Sequence, residues 1–182
     1  MKAVVFRKEQ GLVYEDVPDY SVASDEVLVK VANTGFCGSD HSLVEGGHLA
    51  DGCILGHEIS AVVVEKGADI SGPAVGTKVC IRPTYCGTCA NCLSGKEHLC
   101  RIHRRTTGIG DLPGGFAEYV KVFAQMLIPI PQGVDSRNAA LAETFASALH
   151  AINCTSGRKG SVLVMGGGPI GLCAVRILKI LG

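Results

Sequence analysis

The sequence carries no excess charge of either sign. Its 17 Lys and Arg residues balance 17 Asp and Glu, for a formal net charge of zero. Chains that bind nucleic acid or a membrane surface usually show a basic excess, so neither partner is expected. Long apolar runs are also missing. The opening MKAVVFRKEQ holds only AVVF before Arg7, well short of the roughly 7–15 apolar residues of a secretory signal. No run approaches the ~18 apolar residues of a membrane span. A cytoplasmic location is the expectation. No internal repeat and no low-complexity segment is visible.

What is present suits a folded protein. Of 182 residues, 47% are hydrophobic and 19% charged, enough for one full domain and the start of another. Nine cysteines stand out. In a chain that is not exported they are better explained by metal ligation than by disulfides.

The first 130 residues read as all-β. Glu26–Ala32 (EVLVKVA) alternates with Val27, Val29 and Val31 on one face. Ser60–Glu65, Lys78–Arg82 and Phe116–Val122 are further short segments bounded by Gly or Pro, which together suggest a compact barrel. From Ser136 the period becomes helical, through Leu141, Phe145, Ala148, Leu149 and Ile152. Asp135 or Ser136 can cap its start, and a break near Glu143 is expected. Ser161–Met165 (SVLVM) then reads as a buried parallel strand, followed by Gly166-Gly167-Gly168 and an apolar helix from Pro169 to Leu181. A complete βαβ unit takes ~30 residues or more, so the second domain is expected to begin here and not to finish. The expected domains are 1–135, a connecting helical region 136–160, and 161–182.

Cys86, Cys89, Cys92 and Cys100 are spaced C-x2-C-x2-C-x7-C. Four thiolates can close a tetrahedral structural zinc site, which has no open position for chemistry. Lys96, Arg101, Arg104 and Arg105 are close enough in sequence to offset its charge. A disulfide pair and an iron–sulfur cluster are the alternatives. Cys37 and His57, with Glu143 on the later helix, supply sulfur, nitrogen and oxygen donors. Three protein ligands leave a fourth position for substrate, the pattern of a catalytic zinc. Taken singly, each residue also fits an ordinary core or hydrogen-bonded role. Cys53, Cys80, Cys154 and Cys173 read as core residues. Gly166, Gly168 and Gly171 follow an apolar strand and open a helix, so the turn that includes Pro169 and Ile170 suits a pyrophosphate.

In combination, EVLVKV, CGSD at 37–40, LGHE at 55–58, the four-cysteine loop, GGFAEYV at 114–120 and GGGPIG at 166–171 make the chain resemble one family. It is similar to the zinc-dependent alcohol dehydrogenases of the medium-chain dehydrogenase/reductase family, including polyol and threonine dehydrogenases. The resemblance runs from Met1 to Gly182. It implies a mainly β fold: a GroES-like barrel, then the first β-α of an unfinished Rossmann domain. It implies two Zn²⁺ ions per chain, NAD or NADP, an alcohol or polyol substrate, and a homodimer or homotetramer. By that similarity Cys37 and His57 bind the catalytic zinc. Glu143 stands where polyol-type members place a glutamate ligand, and Glu58 enters the zinc shell in some relatives. Asp40 orients His57, and Ser39 matches the hydroxyl that relays the substrate proton. Relatives often carry a histidine five residues after the cysteine; Ser42 stands there, and His41 is one place early. The 182 residues alone are expected to be inactive. A zinc-binding interaction module on the same barrel is the alternative.

Overall fold

The computed structural model describes residues 1–84, 86–100, 106–109, 112–155 and 160–182. Two compact units emerge, Met1–Ala140 and Leu141–Gly182.

The first unit is built on a five-stranded antiparallel sheet. Its members are β3 (Glu26–Gly35), β4 (Glu58–Lys66), β5 (Lys78–Ile81), β6 (Tyr119–Phe123) and β7 (Leu127–Pro129), in the order β6-β3-β4-β5-β7. Alternation drives it, because successive side chains of a strand point to opposite faces. Val29 lies opposite Val63 on one side and Val120 on the other, Val27 opposite Val122, and Ala61 opposite Val79. These side chains, branched valines apart from Ala61, are fully or almost fully buried in one cluster with Ile59, Ile81, Leu127 and Met126. Each buried valine contributes about 1.5–3 kcal/mol. Met126 has 0% exposure and its carbonyl accepts from the Arg82 N–H at 2.7 Å. Met126→Ala is therefore expected to cost about 2–5 kcal/mol, read as a lower urea midpoint with unchanged slope.

A hairpin of β1 (Lys2–Arg7) and β2 (Gly11–Asp16) completes the unit. β1 lies between two loops: the Val4 N–H donates to the Phe116 carbonyl, and the Phe6 N–H to that of Cys53, both at 2.7 Å. The two loops also grip each other. Gly114, Gly115 and Phe116 donate to the carbonyls of Ile54, Gly56 and Leu55 at 2.8, 2.8 and 3.0 Å. This ladder fixes the backbone immediately before His57.

Not all of the first 130 residues are β. Gly38–Glu45 forms α1, and Ala90–Leu93 a one-turn α2. The sequence GSDHSLVE shows no apolar periodicity, so the helix leaves no pattern to read. Asp40 stabilises its start: its Oδ2 accepts the Cys37 N–H at 2.9 Å, placing a carboxylate at a helix N-terminus. The expected helix from Ser136 is two, α3 (Ser136–Ala139) and α4 (Ala142–Asn153), broken at residues 140–141. Asp135 is the cap, its Oδ1 accepting the Asn138 N–H at 2.7 Å.

In the second unit α4 meets α5 (Pro169–Leu181) through Ala148, Ile152, Cys173 and Ile177. Ser161–Met165 is not a buried strand. Among the described residues it has no ladder partner, and Leu163 and Met165 are 83% and 87% exposed. A parallel strand needs a neighbour for its N–H and C=O groups. Cys80 and Cys173 are buried as expected and Cys53 is half-buried, but Cys154 is exposed at the end of α4.

Candidate active site and metal centres

The four-cysteine loop folds into a knuckle. Cys89 caps α2, Cys92 lies on it, and Cys100 follows a 3-10 turn at Glu97–Leu99. All four sulfurs lie within 4.8 Å of one another, with Cys86–Cys92 at 3.6 Å and Cys89–Cys100 at 3.9 Å. A tetrahedral zinc with Zn–S of about 2.3 Å sets its sulfurs about 3.8 Å apart. All four are free thiols, their nearest sulfurs well beyond the about 2.05 Å of a disulfide bond. Peptide N–H groups aim at the sulfurs: Cys89 N–H at Cys86 and Cys92 N–H at Cys89, both at 3.4 Å. Such donors favour thiolates. The Thr88 N–H and then the Cys89 N–H draw the Cys86 thiol down to about 5, and the Cys92 N–H lowers that of Cys89. Four converging, acidified thiols fit a zinc ion. Asn91 Nδ2 donates to the Leu99 carbonyl at 2.6 Å, and Arg82 pairs with Glu97 at 2.6 Å, tying the knuckle to the end of β5. Of the basic residues near it in sequence, Arg101, Arg104 and Arg105 lie outside the described residues.

A second group gathers where β3 leads into α1 and meets the start of β4. Cys37 caps α1, and Ser39 and Asp40 lie in its first turn. His57 immediately precedes β4, which Glu58 opens. Asp40 is fully buried and His57 is 3% exposed. His57 Nδ1 stands 3.4 Å from Asp40 Oδ1, a charge contact too poorly aligned to count as a hydrogen bond, which leaves that buried nitrogen without another partner. The same Oδ1 accepts the Gly56 N–H at 3.4 Å. On the other side Ser39 Oγ lies 3.4 Å from Nε2. Burial opposes the imidazolium, but the Asp40 carboxylate and the neighbouring Cys37 sulfur outweigh it and push the ring up to about 9.

The structure thus brings Cys37, Ser39, Asp40 and His57 together. Cys37, His57 and Glu58 do not converge as tightly as the four thiols do. Glu143 lies in the first turn of α4, in the second unit. Sulfur and imidazole donors of this kind suit a zinc ion; His57 would offer it Nε2, leaving Nδ1 on the Asp40 side of the ring. Ser42 is committed elsewhere, its hydroxyl donating to the Gly38 carbonyl at 3.0 Å, while His41 is exposed.

The glycine turn leads directly into α5. Gly168 caps α5, Pro169 occupies its first turn, and Gly166 has φ +103°. Nothing lies within 4 Å of a Cβ built on Gly166, Gly167 or Gly168, whereas one on Gly171 would stand 2.0 Å from the Gly166 carbonyl oxygen. The turn is open on its outer side and tight on its inner side. The first N–H groups of any helix lack partners within the helix, and the first turn of α5 holds Pro169 and Ile170.

Comparison with known proteins points to one family. The family model for the alcohol dehydrogenase GroES-like domain matches residues 23–132. A sorbitol dehydrogenase of Halalkalibacterium halodurans is 40% identical, the match covering 98% of this chain and 53% of that enzyme. An L-threonine 3-dehydrogenase of Legionella pneumophila is 35% identical over 100% of this chain and 55% of its own. Among solved structures, acetophenone reductase from Geotrichum candidum in complex with NAD superposes with a TM-score of 0.89 at 33% identity, over 100% of this chain and 55% of that one. The chain spans about half the length of these relatives. Among the described residues, no helix is long and apolar enough to cross a membrane.

Proposed function

The chain belongs to the alcohol dehydrogenase GroES-like domain family, in the polyol- and threonine-dehydrogenase-like part of the medium-chain dehydrogenases/reductases, and from that premise we propose that the whole protein transfers a hydride between a secondary alcohol or polyol and NAD or NADP. Residues 1–135 supply the zinc-binding catalytic domain, 136–160 the connecting helices, and 161–182 the beginning of the dinucleotide-binding domain. The observation that supports this most is the Cys37–His57 pair, with the imidazole flanked by Ser39 and Asp40.

In this proposal Cys37, His57 and Glu143 hold a zinc ion, with Glu58 beside them; the place of Glu143 rests on the sequence pattern. Zinc at that position supplies Lewis acidity toward a substrate oxygen. Asp40 fixes the tautomer and orientation of His57. Ser39 accepts the hydroxyl proton of the alcohol. The backbone of Gly166–Gly171 receives the pyrophosphate of the dinucleotide. Cys86, Cys89, Cys92 and Cys100 hold a second zinc that braces their loop.

The 182 residues alone are expected to be inactive and to bind neither NAD nor NADP at micromolar concentration. Dinucleotides bind in a crevice between neighbouring parallel strands, and none flanks Ser161–Met165 among the described residues. The test is elemental analysis, with calorimetry against NAD and NADP, on the chain and on the whole protein, followed by a panel of secondary alcohols and polyols. Two zinc ions per chain and alcohol-dependent NAD(P)H formation by the whole protein support the proposal. One zinc ion and no dinucleotide binding by the whole protein favour a non-catalytic zinc-binding module on the same barrel.

A further inference from the structure

We propose that Gly35 is a positioning residue for the Cys37–His57 centre, because its missing side chain is the seat of the Glu58 carboxylate. The inference rests on the assignment of that centre as a metal site. Gly35 ends β3 two residues before Cys37, and Glu58 opens β4 one residue after His57. The ladder pairs the two directly. A bulge sets this register, since Val31 faces Ala61 whereas Asn33 faces Ser60. Bulges beside functional sites commonly re-aim a side chain in this way.

A Cβ built on Gly35 would stand 1.9 Å from Glu58 Oε2, 3.0 Å from its Cδ and 3.1 Å from its Cβ. The carboxylate therefore fills the volume that any side chain at position 35 would need. Conformation does not require glycine here, because φ at Gly35 is not positive. The requirement is space. Glu58 is 7% exposed, and a buried carboxylate is kept where cations or donors meet it. From this seat its charge acts on a cation held by Cys37 and His57. An added methyl group expels the charge without touching either ligand.

A double-mutant cycle of Gly35→Ala and Glu58→Ala on the whole chain tests this. Two readouts are zinc release to a chromophoric chelator and the absorption bands of Co²⁺ exchanged into the Cys37 centre, with the four-cysteine zinc as internal control. Gly35→Ala is expected to weaken metal retention at the Cys37 centre about 10–100-fold, the range for residues that orient metal ligands, and to shift the Co²⁺ bands. The four-cysteine zinc should be unaffected. In the Glu58→Ala background the same change should add little, because the two nearest atoms to the new methyl group, Oε2 and Cδ of Glu58, are gone and its Cβ stands at 3.1 Å. That double variant is also the folding control, and it should melt like Glu58→Ala. Wild-type retention in Gly35→Ala, or an equal effect in both backgrounds, overturns the inference while leaving the metal site standing. A wild-type chain that holds a single zinc overturns the metal assignment, and this inference with it.

Discussion

Cys92→Ser is expected to strip the zinc from the four-cysteine loop and to lower the melting temperature by about 6–12 °C, against about 2–4 °C for Cys37→Ser. Structural zinc contributes about 10–16 kcal/mol in small peptides, where folding and binding are one event. Here the loop hangs from a sheet that buries its own core, so only a fraction reaches global stability. About a quarter, ~3 kcal/mol, corresponds to the larger shift for a chain of this size. The coupling runs through the Arg82–Glu97 pair and through Arg82 N–H to Met126, in the main core. Cys92 is 7% exposed, so the variant also leaves a hydroxyl among three sulfurs that lose their common ion. Cys37 caps a short helix whose start is still held by the Asp40 carboxylate, and a site with an open position gives up less when emptied. Scanning calorimetry with elemental analysis of both variants decides the matter. Equal shifts would mean that the two centres share the structural load.

The strands that carry the core were legible because their signal is local. Val27, Val29 and Val31 alternate within seven residues, and Val120 and Val122 repeat the pattern across the ladder. The four thiols were legible for the same reason, since fifteen residues contain the whole donor set. Cys37 and His57 are twenty residues apart and meet only through β3–β4 pairing and the grip of Gly114–Phe116 on Ile54–Gly56. Their donor types suggested a site, but scattered spacing carries little trace of that meeting, and resemblance to a family strengthened the reading. α1 was missed because its eight mainly polar residues show no apolar period, with Leu43 and Val44 alone packing on the cluster of Phe6 and Leu55 and Asp40 its one fully buried residue. Gly35 was invisible for a different reason. A residue whose role is to leave room gives no pattern, and its meaning appears only once Glu58 is placed against it. Ser161–Met165 shows the opposite failure: composition announced a strand, but pairing, which composition does not encode, decides whether one forms.

Ser39→Ala in the whole protein is expected to lower kcat for alcohol oxidation about 10²–10⁴-fold, the usual worth of a positioned proton acceptor, with both zinc ions retained. Ser39 lies in the first turn of α1, beyond the Cys37 cap, with Oγ 3.4 Å from His57 Nε2. A cation bound by that nitrogen and by Cys37 would have this hydroxyl beside it, within reach of a substrate oxygen. Alanine is a good helix former and Ser39 is exposed, so stability should change by no more than about 0.5 kcal/mol. The deficit then belongs to proton transfer, and pH identifies it. Without the serine the proton must leave to water or hydroxide, so the loss should shrink as pH rises. Ser39→Thr keeps a hydroxyl and should recover most of the rate. The neighbours offer little substitute, since the Ser42 hydroxyl is occupied by the Gly38 carbonyl. Stopped-flow rates of NAD(P)H formation across pH, for wild type, Ser39→Ala and Ser39→Thr, give the answer. A Ser39→Ala enzyme within twofold of wild type at every pH would falsify the role of this hydroxyl and turn attention to exposed His41 as the first proton acceptor.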